Sequence, residues 1–206
     1  DVAPSRGLGD VYKRQNYDIT VKKSNTTDNT LKKDDNGKYA EYVVDVSSEK
    51  GTPDVITLND VLEAGKMSVD TSKFTYTITK NGQQVGGEYT ANVTASSNND
   101  NNNHKYNLTA TLPKLNAGES CQIKYKYYYD TSLCDSGNES QASNKVTGES
   151  INKKSNEKVI DTSSSVIKYT RDDLDKTGAY DSDSQTVKWT CLLYTSDAAD
   201  EARSVD

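Results

Sequence analysis

The side chains best equipped for catalysis are sparse in this 206-residue chain. The single histidine, His104, sits in a polar stretch with no companion cluster, so most metal and triad arrangements lack a member. Cys121 and Cys134 would be able to pair in an oxidising compartment, but two cysteines do not make a disulfide framework. Cys121 alternates with Ile123 and Tyr125, the pattern of a buried free thiol. The stretch Asn98 to Asn103, with Asp100, lacks the acidic spacing and bidentate Glu of a calcium loop and reads as a hairpin tip. Tyr125, Tyr127, Tyr128 and Tyr129 would stack on a sugar or a protein if exposed; in a strand, Tyr125 and Tyr127 face the core and Tyr128 points outward. No nucleophile–base or metal constellation emerges, so neither an enzyme nor a cofactor is expected.

The elements that must position these residues follow from period-two alternation. Tyr17, Ile19, Val21 and Lys23 share one face of a first strand, and Ala40, Tyr42, Val44 and Val46 one face of a second. Ile56, Leu58, Asp60 and Leu62 follow Gly51-Thr52-Pro53, with 59–66 open to one short helical turn as an alternative. Phe74, Tyr76 and Ile78 lead into Lys80-Asn81-Gly82, a hairpin signal. Strands are then expected around Tyr89 to Val93, Tyr106 to Leu112, Cys121 to Tyr127 and Asn144 to Gly148, with a turn at Leu115 to Glu119. Short strands with regular turn signals predict an all-β, immunoglobulin-like β-sandwich over 16–150. The polar stretch 151–157 reads as a linker. Residues 158–190 read as the truncated start of a second β module, with too few strands to bury a core alone.

The ends read differently. Asp10 to Gln15 and Cys191 to Ser196 resemble in-frame translations of the two arms of a transposon end used in sequencing libraries. Residues 1–15 and 191–206 are therefore expected to be adapter-derived and are set aside from fold reasoning. The chain is then a fragment, a metagenomic one by this reading. It carries 25 Lys+Arg against 31 Asp+Glu, net -6. That balance argues against nucleic acid as a partner, which would call for a basic stripe. Only 32% of residues are hydrophobic, yet 14 are Tyr. Tyrosines set in alternating β-branched runs favour thin sheets with solvated outer faces over disorder.

The ordered pieces Ile19 to Lys23, Ile56 to Leu62, Leu115 to Ser120 and Ala142 to Gly148 resemble the conserved-repeat β-sandwich modules of Gram-positive cell-wall adhesins. Lys176-x-Gly178-x-Tyr180 followed by Val187-Lys188-Trp189-Thr190 resembles the opening of a collagen-adhesin-type module. The resemblance implies a secreted, cell-wall-attached stalk with neighbouring modules of the same chain as partners. It also implies a host matrix protein or glycan as a further partner, and no membrane insertion within this segment.

Such modules often form an intramolecular isopeptide bond between Lys and Asn, assisted by a buried acid. The resemblance maps these roles onto Lys23, Asn144 and Asp60, with Lys176 as the corresponding lysine of the second module. Parity supports the mapping, because all three fall on the apolar faces of their strands. The adjacent Lys22 competes for the lysine role. A different assignment stands beside it: Lys23 snorkelling from an edge strand, Asp60 capping a turn and Asn144 bonding the backbone. At the level of function, a carbohydrate-binding accessory module of a secreted enzyme is the alternative to the stalk.

Overall fold

A computed structural model describes residues 18–51, 53, 55–151, 158–171 and 174–193. Both expected adapter segments thus lie almost wholly outside the described residues. In chain order the strands are β1 (Thr20–Asn25), β2 (Lys32–Asp34), β3 (Gly37–Ser47), β4 (Ile56–Gly65), β5 (Ser68–Val69), β6 (Thr75–Lys80) and β7 (Gln83–Val85). They continue with β8 (Ala91–Ala95), β9 (His104–Leu112), β10 (Ser120–Asp130), β11 (Glu139–Ile151), β12 (Lys158–Thr170), β13 (Leu174–Asp181) and β14 (Thr186–Leu193).

The expected all-β sandwich is what these strands build. One sheet runs β1-β3-β10-β6-β7, with β2 on β3 and β5 on β10; the other runs β12-β11-β4-β9-β8. Neighbours within each sheet are antiparallel. Alternation fixes which face goes in: Ala40, Tyr42, Val44 and Val46 of β3 meet Ile56, Leu58 and Leu62 of β4 in one core, while the intervening residues face outward. The β6–β7 turn places Asn81 and Gly82 at positive φ (48° and 78°), as a tight hairpin with Asn-Gly at its centre requires. The alternative helical turn at 59–66 is not formed. Asp60, Leu62 and Ala64 continue the inward alternation of β4, and a helix would swing that row out of the core.

The boundary expected at 151–157 is corrected. β12 pairs with β11 from Glu139↔Thr170 to Ile151↔Lys158, and Ile167 is fully buried in the same core. Residues 158–170 are therefore the edge strand of the first sandwich, and the stretch 152–157 joins two paired strands. The seam between β12 and β1 is made by side chains. Asp161 Oδ2 accepts from the Val21 backbone N–H at 2.6 Å, Ser163 Oγ from the Lys23 N–H at 2.9 Å, and Ser165 Oγ from Asn25 Nδ2 at 2.8 Å. The constant offset along both strands, with a parallel bridge between Thr30 and Lys168, makes the seam parallel. Gly148 of β11 lets β1 approach: a Cβ there would lie 2.5 Å from Val21 Cγ2. β13 and β14 form a separate two-stranded sheet, with Tyr180, Val187 and Trp189 exposed.

Candidate functional site

Between the two sheets lies a cluster of polar side chains that the apolar core surrounds. β1 directs Val21 and Lys23 inward and Lys22 outward, so of the two adjacent lysines it is Lys23 that enters the core. The Lys23 side chain is fully buried, Asp60 is 1% exposed and Asn144 not at all. Asp60 stands opposite Val146 on the neighbouring β11, and Asn144 opposite Leu62, so acid and amide are diagonal neighbours on one face. Lys23 comes from the other sheet, and its ammonium end crosses the sandwich to reach them.

Lys23 Nζ donates to Asp60 Oδ2 and, at 2.5 Å, to the hydroxyl oxygen of Tyr125. The Tyr125 hydroxyl donates to the same carboxyl oxygen. Asn144 Nδ2 approaches the Tyr125 oxygen at 3.4 Å. Tyr42 stacks on Tyr125, with ring centroids 5.6 Å apart, and Lys23 Nζ lies 5.0 Å from the Tyr42 ring centroid. Two buried acceptors in this cluster, Asp60 Oδ1 and Asn144 Oδ1, have no hydrogen-bond partner.

Burial shifts both charged partners towards their neutral forms. Loss of solvent pulls Lys23 down from 10.5 to about 8, against the opposing pull of the Asp60 charge and hydrogen bond. Loss of solvent likewise raises Asp60, although Lys23 and Tyr125 both favour its ionised form. The two shifts agree in sense: desolvation drives the pair towards a neutral amine and a protonated acid. Tyr125 is held far above the usual phenol range, first by burial and then by the Asp60 charge. A neutral amine, a carboxylic acid and a primary amide in a dry site are the components of amide exchange.

The other predicted positions fall as follows. Lys176 lies in β13 opposite Cys191 of β14, and its side chain is outside the described residues. Tyr125, Tyr127 and Tyr129 are buried; Tyr128, expected to point to solvent, is also largely covered, its hydroxyl donating to Asp34 at 2.9 Å. The run is therefore no exposed platform for a sugar. Cys121 and Cys134 are both buried and free, with burial pushing the Cys121 thiol up to about 12. His104 opens β9 and pairs through Nδ1 with the Gly65 carbonyl at 2.9 Å. Among the described residues, no group of three or more His, Cys, Asp or Glu is placed to hold a metal ion. No helix among them is long and apolar enough to cross a membrane. Sequence reasoning missed the polar role of Tyr125, which alternation presents only as a core position. The one hint was compositional: 14 Tyr against a single Phe.

Fold and site together define an antiparallel β-sandwich with a Lys–Asp–Asn cluster bridging its sheets. No protein-family model matches the chain, and no curated protein sequence matches it either. Among solved structures, it is similar to ACE19, the collagen-binding subdomain of the Enterococcus faecalis surface protein ACE, at 10% identity. That match covers 74% of this chain and 96% of the other, with a TM-score of 0.38. The collagen-binding domain of a Staphylococcus aureus adhesin is 17% identical over 72% of this chain and 97% of its own, with a TM-score of 0.31. AvmM, which catalyses macrocyclization in alchivemycin A biosynthesis, is 8% identical over 76% of this chain and 88% of its own, with a TM-score of 0.40.

Proposed function

We propose that this chain is a structural module of a bacterial cell-surface adhesin, tied internally by an amide bond between Lys23 and Asn144. The observation that carries the reading is the sequestered meeting of amine, acid and amide from three strands of two sheets. Leaving three such groups out of water is costly unless they are paired or serve a purpose. A proton on Asp60 Oδ1 supplies a donor where two buried oxygens, Asp60 Oδ1 and Asn144 Oδ1, otherwise have none. That proton polarises the Asn144 carbonyl towards attack.

The reaction is balanced within the site. Neutral Lys23 Nζ attacks Asn144 Cγ, the Nζ–Cγ bond forms, the Cγ–Nδ2 bond breaks, and the former amide nitrogen leaves as ammonia. It occurs once per molecule, so it is maturation without turnover. The product joins β1 of one sheet to β11 of the other. A stalk that holds neighbouring modules and a host matrix protein or glycan at the cell surface gains from such a tie. Intact mass of the purified chain tests the reading: a mass lower than the sequence value by one ammonia is expected, and the full sequence mass would reject the bond.

A further inference from the structure

We propose that the Tyr125 hydroxyl is the proton carrier of the Lys23–Asn144 reaction, taking a proton from the attacking amine as it gives its own to the departing amide nitrogen. The inference rests on the amide-bond reading and adds a residue to it. Attack leaves the excess proton on Nζ, whereas Nδ2 must gain one before it can leave as ammonia. A carrier has to touch both nitrogens. The Tyr125 oxygen does, at 2.5 Å from Lys23 Nζ and 3.4 Å from Asn144 Nδ2. It also donates to Asp60, so the acid holds the hydroxyl in place until transfer.

Solvent offers no easy alternative, because all four side chains are buried. Tyr42 bonds Tyr129 at 3.0 Å and also Asn144 through its hydroxyl, but it meets the amine only with its ring face, so it does not bridge the two nitrogens. In the transfer, one proton leaves Nζ for the Tyr125 oxygen and the original hydroxyl proton moves to Nδ2. The phenol is regenerated, no phenolate is formed, and ammonia departs with the electron pair of the broken C–N bond.

The test follows loss of ammonia by intact mass after the full chain, recovered unfolded in denaturant before reaction, is diluted into buffer. Tyr127→Phe serves as the control, since it removes a buried hydroxyl that has no partner. Tyr125→Phe is expected to slow ammonia loss about a hundredfold, while Tyr127→Phe keeps the wild-type rate. Replacing Tyr125 by 3-fluorotyrosine keeps the ring and hydroxyl in place with a more acidic O–H, and is expected to change the rate of ammonia loss severalfold, which a purely positional role would leave intact. Wild-type speed in Tyr125→Phe, or in the fluorinated protein, overturns the proposal. Should Tyr125→Phe show no cooperative unfolding, the fluorinated protein decides: a changed rate supports the carrier and an unchanged rate removes it. A wild type that never loses ammonia fails differently, by refuting the amide bond itself.

Discussion

Replacing Asn144 with Ala removes the electrophile and leaves the rest of the sandwich in place. In the chain-entropy treatment of a cross-link, joining residues 23 and 144 restricts the unfolded chain by about 5 kcal/mol. The side chain itself contributes little beyond that. Its hydrogen bonds, a long one to Tyr125 at 3.4 Å and one with the Tyr42 hydroxyl, are worth about 1 kcal/mol each at most. For a domain of this size, about 5 kcal/mol corresponds to a melting temperature lower by about 10–20 °C. Calorimetry of the wild type and Asn144→Ala, with intact mass on the same samples, measures both quantities. The double variant Asn144→Ala/Lys23→Met separates the tie from local damage: once the bond is absent, losing the lysine as well should not repeat the large drop. Wild-type and Asn144→Ala proteins that melt within a few degrees of each other would refute the reasoning, as would a wild-type mass that still includes the ammonia.

Other outcomes follow from the same geometry. In Asn144→Ala, Lys23 stays a free amine whose folded pKa of about 8 lies below its ordinary 10.5. Between those values the unfolded chain binds more protons than the folded one, so stability should rise with pH across this window; urea titrations at several pH values, compared with Asn144→Ala/Lys23→Met, read the difference. Gly148→Ala forces a methyl to within 2.5 Å of Val21 Cγ2 and should cost about 1–3 kcal/mol in chemical denaturation. Asp161→Ala strips the Val21 N–H of its acceptor, with an expected loss of about 1–3 kcal/mol and faster amide exchange at Val21.

Where apolar and polar residues alternate strictly, the sequence was read correctly, because a slip of one residue would expose an entire row. That is why the strands through Val44, Leu58, Leu108 and Ile123 were legible, and why parity alone put Lys23, Asp60 and Asn144 inside. β12 escaped for the converse reason. Its inward positions Asp161, Ser163 and Ser165 are polar, because they face the Val21 and Lys23 backbone N–H groups and the Asn25 amide of β1 and not the apolar core. Without an apolar row to tie it to the first core, the strand reads as the opening of a second module until its partner strand is known. Tyr125 was placed correctly but given no chemistry, since alternation reports which face a residue occupies and says nothing of what its hydroxyl meets across the sandwich.

The parallel seam between β1 and β12 has a mechanical consequence. Two parallel strands at the flank of one sandwich mean that the polypeptide enters β1 at one pole of the module and leaves β12 at the opposite pole. Tension applied between those poles slides the strands along each other, so the contacts of Asp161, Ser163 and Ser165 are loaded together. A hairpin pulled open at its end would break its bonds one after another. With Lys23 bonded to Asn144, the line of force would pass from β1 directly into β11, and the strands between them would carry almost none of it.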